Sequence, residues 1–178
     1  MQRRRHITGI AALGALVVMT AGLAGGASAR ADQLTEIRAA TARFSSIGQA
    51  ERAGYAPFYV CTEEPGVGTM GQHYVKGALV DDPAVDLEHP EALVYEPLQN
   101  GGYRLVALEY VVIAATLPAG ASAPTVLGQP MTFVSAGNRY GLPDFYQRHL
   151  WLYEPNPLGL GSDWNPEVSC RGTGDGGG

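Results

Sequence analysis

Hydrophobic and polar residues follow two different rhythms along this chain. Between residues 33 and 54, Leu34, Ile37, Thr41, Phe44 and Ile47 recur at spacings of three and four, which predicts helix with one apolar stripe. Asp32 suits the N-cap, and Ser46 with Gln49 has the spacing of a capping box, so a second short helix restarts there and stops at Gly54. From Tyr55 onward short β-rich runs alternate with Pro and Gly. Residues 92–96 and 103–114 flank Gln99-Asn100-Gly101-Gly102, and Asn-Gly between two such runs is a strong hairpin signal. The second run is apolar at both parities: Leu105, Ala107, Val111 and Ile113 on one face, Val106, Leu108 and Val112 on the other. A central strand covered on both sides is expected there. Residues 74–80, 131–135 and 147–154 are further strand expectations, whereas 117–130, 136–144 and 155–169 read as long loops. The fold class predicted is α+β, with N-terminal helices packed on a curved antiparallel sheet or incomplete β-barrel.

Composition adds an address. Arg3, Arg4 and Arg5 precede an apolar stretch, Ile10 to Leu23, and Ala27-Ser28-Ala29 offers a small-residue cleavage site, with a second cut point after Ala31. Residues 1–31 are therefore expected to be a signal peptide, residues 32–170 a single domain, and residues 171–178 a disordered Gly-rich tail. Arg4-Arg5-His6-Ile7 is similar to a twin-arginine export signal, although Thr8 stands where Leu is usual. A secreted or extracytoplasmic protein follows, with no membrane association after cleavage. Two cysteines in an exported chain, Cys61 and Cys170, predict one disulfide; no C-x-x-C spacing supports a pair of metal-binding thiolates.

The 178 residues carry 12 Lys+Arg and 17 Asp+Glu, but from Asp32 onward 8 basic face 17 acidic residues, a formal charge of −9. No nucleic-acid partner is expected, because phosphate neutralisation needs clustered Lys and Arg. The same balance argues against an anionic membrane surface.

Three polar residues stand in otherwise apolar strands. Glu109 shares the parity of Leu105, Ala107 and Val111, where a carboxylate must be paired, metal-bound or protonated. His149 lies in His149-Leu150-Trp151-Leu152-Tyr153, and His73 follows a Gly-rich loop in Met70-Gly71-Gln72-His73-Tyr74. Two imidazoles and one carboxylate from three strands would form a facial triad with open positions, suited to a divalent transition metal such as Zn, Fe, Mn or Cu. Tyr74, Tyr110 and Trp151 are the expected surrounding or pocket residues. Two other readings stand beside this one. One is a Glu–His pair that only orders the core of a structural domain. The other is an aromatic pocket that holds a small-molecule ligand without catalysis. His89, in the acidic loop Asp81 to Glu91, reads as solvated. No G-x-S-x-G or nucleotide-binding glycine pattern occurs.

Several blocks follow one another in order: Met70-Gly71-x-His73-Tyr74, residues 90–96, Leu105-Val106-Ala107-Leu108-Glu109-Tyr110, His149-x-Trp151-Leu152, Asn156-Pro157-x-Gly159, and Trp164-Asn165-Pro166-x-Val168-x-Cys170. The series resembles a family of small, exported, largely uncharacterised bacterial proteins. The resemblance spans about residues 35–170. It places His73, Glu109 and His149 inside motif blocks and leaves His89 outside them, and it implies no reaction. Arg148 departs from the apolar residue of the family pattern, which raises the expectation of an exposed strand face beside His149.

Overall fold

The computed structural model describes residues 21–173. Residues 1–20 of the expected signal peptide and residues 174–178 of the expected tail lie outside them.

A helix, α1 (Ala21–Thr41), leads through a 3-10 turn (Ala42–Ser45) into a short α2 (Ile47–Arg52). α1 starts earlier than the sequence suggested. Asp32 lies inside it rather than at its cap, because the Ala-rich stretch before Asp32 propagates helix. Residues 26–33 are exposed, and the first buried side chain is Ile37. Both expected cut points therefore fall where the helix touches nothing. Ser46 is the N-cap of α2, but its side chain makes no capping bond. No described helix is long and apolar enough to cross a membrane.

The rest is a strongly curled antiparallel half-barrel, and α+β is the fold class. Its six strands, in the order β1-β2-β3-β4-β8-β7, are β1 (Ala56–Glu64), β2 (Gly68–Val75), β3 (Ala92–Pro97), β4 (Tyr103–Ile113), β8 (Phe145–Leu150) and β7 (Thr132–Val134). A four-residue helix, α3 (Gly77–Val80), follows β2, so the strand expected over 74–80 ends at Val75. The loop expected over 117–130 contains a two-residue hairpin, β5 (Thr125–Val126) and β6 (Gln129–Pro130). Leu127 and Gly128 turn it with φ of 50° and 73°, the left-handed pair that such a tight turn requires. The expected strand 147–154 stops at Leu150. Beyond it the Trp151 N–H donates to Leu160 O, and the Tyr153 and Glu154 N–H groups both donate to Val106 O.

The β3–β4 hairpin turns at Asn100-Gly101, as predicted, and β4 is central and buried from Leu105 to Val112. Its face assignment needs one correction. Tyr95 pairs with Leu105 but Val94 pairs with Ala107, leaving Val106 as the extra residue of a β-bulge. The bulge exchanges the expected parities of Leu105 and Val106. Leu105 joins Leu108, Tyr110 and Val112 under the helices, while Val106 packs with Val94, Ala107 and Trp151 on the other face.

The helical layer covers the first face with Ile37, Phe44 and Ala50, packed on Tyr55, Tyr74, Leu93, Tyr95 and Leu150. Three of the buried phenols there donate to backbone carbonyls: Tyr55 to Pro90, Tyr95 to Phe44 and Tyr110 to Leu87. Arg148 faces this side too. It is half-buried and donates to Pro130 O at 2.9 Å, so the small hairpin covers the strand where exposure was expected.

The predicted disulfide forms. Cys61 on the edge strand β1 joins Cys170 across 109 residues, with Cα atoms 5.7 Å apart. Arg104 reinforces that end by binding both Glu96 and Glu154, and the other oxygen of Glu96 accepts the Ser169 N–H. Arg171–Thr173, expected to be disordered, forms a 3-10 turn in which Gly172 lies against the backbone of Pro97 and Leu98, too close for any side chain. Replacing both cysteines with serine should lower unfolding free energy by about 4–5 kcal/mol in the chain-entropy model, read as a lower urea midpoint.

Glu91 extends the β3–β4 ladder with its side chain. It is 2% exposed, and its carboxylate accepts the Val111 N–H just past the last backbone pair, Ala92 with Glu109. Burial pushes its pKa from 4.5 up to about 7, against the Val111 hydrogen bond. The folded chain therefore keeps a proton that the unfolded chain loses between these values. This stabilisation is complete below the unfolded value and disappears as pH rises through about 7. Relative to Glu91→Gln, the wild type should lose on the order of 2–3 kcal/mol over that window. Thermal unfolding of both proteins at several pH values, in the presence of a chelator, checks this.

Candidate metal centre

The site lies on the sheet face opposite the helices, to which β2, β4 and β8 contribute His73, Glu109 and His149. Glu109 and His149 are direct cross-strand partners. His73 is two strands away from Glu109, with β3 between them, roughly 9–10 Å across the sheet. The two side chains meet because the β3 residues paired with them on this face are compact and apolar: Ala92 pairs with Glu109 and Val94 with His73. Gly71 sets up the approach of His73. It adopts φ +105°, and a Cβ there would come within 2.7 Å of Val94 Cγ1 and 2.9 Å of Tyr95 O.

His73 Nε2 lies 3.2 Å from His149 Nε2 and 3.3 Å from Glu109 Oε2. One donor atom from each of the three residues lies within 4.8 Å of the others. All three side chains are buried, His149 completely. Donor atoms sharing an ion at 2.0–2.2 Å stand roughly 3–3.5 Å from one another, and the two pairs that His73 Nε2 makes have that separation. The group could therefore hold a metal.

Burial pulls the His73 pKa down to about 3, helped by the neighbouring His149, while the Gly71 backbone opposes through a hydrogen bond. His73 is thus a neutral imidazole. Burial also pulls on His149, but Glu109 and Asp163 outweigh it and raise its pKa above the ordinary value. Glu109 is raised by burial, against the attraction of His149. The proton preferences of the three groups are interlocked, as expected of a shared binding site.

His149 Nδ1 is the buried side-chain polar atom left without a hydrogen-bond partner among the described residues. The nearest acceptors are Asp163 Oδ1 at 3.6 Å, just outside hydrogen-bonding range, and Glu109 Oε1 at 3.9 Å. Sequence reading missed Asp163, which lies in an irregular Pro-, Asn- and Gly-rich loop with no periodicity. The loop is held at the site by Trp151. This indole stacks on His149 with ring centroids 6.0 Å apart, and its N–H donates to Ser162 O next to Asp163. The Thr69–Asn165 bridge pins the far side of the same loop, and the fully buried Asn165 side chain bonds Pro155 O and the Glu167 N–H.

The structure thus brings together His73, Glu109, His149 and Trp151. It does not bring Tyr74 or Tyr110 to them. Each is one residue from a proposed ligand, so strand alternation turns it to the helical face, where Tyr74 packs on Tyr95 and Tyr103 and Tyr110 bonds Leu87. Their place as surrounding residues is corrected. His89 is exposed and pairs with Asp86 at 2.9 Å, away from the site, as expected.

A cavity of about 490 Å³ opens directly on the site, with His73 and Glu109 in its wall. The remaining wall is mostly apolar, including Phe58, Val75, Val111, Leu142 and Phe145. Tyr140 closes it from the 136–144 loop, edge-on to Tyr59 and bonded to Met70 Sδ. The volume lies within the range of small-molecule sites. No family model, curated protein or solved structure matches the chain.

Proposed function

We propose that the protein is an exported metal-binding protein whose two-His-one-carboxylate centre, His73, Glu109 and His149, opens on a small-molecule pocket. The carrying observation is the facing pair of Nε2 atoms at 3.2 Å with a carboxylate oxygen 3.3 Å from His73 Nε2, on three buried side chains. Two imidazoles and one carboxylate are the donor set of divalent Zn, Fe, Mn or Cu, with any proton on the coordinating His149 nitrogen released as the ion binds. Three protein donors leave positions open toward the cavity. A bound ion there would supply Lewis acidity, either to a water molecule or to a ligand oxygen. The disulfide supports the extracytoplasmic reading, and cleavage at either expected site would cost no buried contact.

The core-pair reading asks the same groups to stabilise the fold alone. It leaves His149 Nδ1 unpaired and requires one of the two facing nitrogens to carry a proton toward the other. The cavity beside them also argues against a purely structural role.

Metal analysis of protein exported by its native type of host should find about one equivalent in the wild type. Glu109→Gln and His149→Ala should each lose it, with circular dichroism confirming the fold. Equal metal content in all three would sink the proposal and restore the core-pair reading.

Asp163 is the partner that His149 Nδ1 would need to present Nε2 to an ion, the carboxylate–histidine–metal arrangement. Asp163→Asn should weaken metal affinity by about 10- to 100-fold in chelator competition, with the three ligands intact. Unchanged affinity would remove Asp163 from the site.

A further inference from the structure

Among the cavity-lining residues, Gln147 has no role in the site described so far. It is 5% exposed, yet no hydrogen bond links its side-chain amide to a described residue. On β8 it shares the parity of Phe145 and His149, and it pairs across β4 with Val111. Its amide therefore has no protein partner among the described residues and is open to the cavity, two residues from a proposed ligand and in an otherwise mostly apolar wall. A ligand that displaces water from this cavity must replace the hydrogen bonds that water makes to the amide, or lose free energy.

The charges around the cavity narrow what that something is. No Lys or Arg lines it, so a bound anion would find no cationic side chain. Glu109 in the wall and Asp163 behind His149 together offset a divalent ion's charge, and Asp81 at the edge is acidic too. A cationic ligand would sit against the ion itself. A neutral molecule avoids both penalties. Apolar walls with aromatic rings from Phe58, Tyr140 and Phe145 fit a ring-sized body. The Gln147 N–H₂ donates a hydrogen bond and an open metal position accepts a lone pair; a carbonyl oxygen, with two lone pairs, answers both.

We propose that the cavity binds a neutral, ring-sized carbonyl compound, its oxygen held by the Gln147 amide at the open side of the metal centre. This deepens the metal reading and rests on it only for the second contact to the oxygen. The Gln147 contact and the apolar fit stand without the ion.

Four probes of similar size separate the possibilities by NMR titration: acetophenone, benzoate, 1-phenylethylamine and ethylbenzene. Each is run on chelator-treated protein and again after adding one equivalent of Zn²⁺, with metal content measured on the same samples. Acetophenone is expected to bind most tightly in both states, and more tightly with Zn²⁺. Gln147→Leu should weaken acetophenone about 10-fold while leaving ethylbenzene unchanged, and Gln147→Met should repeat this as a check on folding. Leu142→Trp, which fills the cavity, should abolish acetophenone binding. Tighter binding of benzoate, the amine or ethylbenzene would overturn the neutral-carbonyl assignment. Equal affinity in Gln147→Leu and wild type, or binding that survives Leu142→Trp, would overturn the site. Absence of bound Zn²⁺ with Gln147-dependent acetophenone binding intact would remove the metal reading and leave this one standing.

Discussion

The carboxylate of Glu109 sits mid-strand in the centre of a sheet, 6% exposed, and much of the architecture follows from what a charge in that position requires. Desolvating an ionised carboxylate without partners costs several kcal/mol, comparable to the whole stability of a small domain. Its partners cannot come from its own strand, because alternation sends Tyr110 and Leu108 to the other face. They come from the sheet. His149 is directly opposite on one neighbour, and His73 reaches over the other neighbour because Ala92 leaves the space open. Gly71 completes the geometry by letting β2 press close against Val94 and Tyr95.

The bulge at Val106 ties this local chemistry to the fold. Were alternation unbroken through Val106, Leu105 would share the face of Glu109, and the N-terminal half of β4 would present its apolar positions out of step with Tyr95 and the helices. With it, Leu105 packs under the helical layer while Ala107, Glu109 and Val111 keep to the site face. The same Val106 carbonyl then receives the N–H groups of Tyr153 and Glu154, turning the chain away from the sheet after β8. That turn starts the loop that carries Asp163 back to His149. A single inserted residue thus serves the core, the end of β8 and the surroundings of the site.

Much of this was legible in the sequence. Helical spacing from Leu34 to Ile47, the Asn100-Gly101 hairpin, and the burial of β4 on both faces all follow from local pattern, and the disulfide follows from two cysteines in a chain whose sequence carries an expected export signal. His73, Glu109 and His149 stood out because polar residues interrupt apolar strands. Other features depend on tertiary register and were not legible. Parity counting fails across a bulge, which is why Leu105 and Val106 changed places. Adjacency in sequence put Tyr74 and Tyr110 beside the ligands, although alternation of strand faces argues the reverse. Asp163 and Gln147 carry no local signal: one sits in an irregular loop, the other at the first position of the expected strand 147–154.

The two faces of the sheet differ in how their polar atoms are satisfied, and that difference bears on function more than any single distance does. Under the helices, Tyr55, Tyr95 and Tyr110 each find a backbone carbonyl, so the layer is apolar in its packing and closed in its hydrogen bonding. A sequence able to do that on one face faces no chemical obstacle to doing it on the other. Buried ionic groups can often be replaced by packed apolar residues with no loss of stability, so stability alone does not call for a His–Glu–His cluster. Yet the site face keeps two imidazole nitrogens turned toward each other, leaves His149 Nδ1 without a partner, and leaves the Gln147 amide open to a cavity. Unsatisfied capacity gathered around one cavity, in a fold that satisfies its polar groups elsewhere, is what a binding site looks like before its ligands are counted.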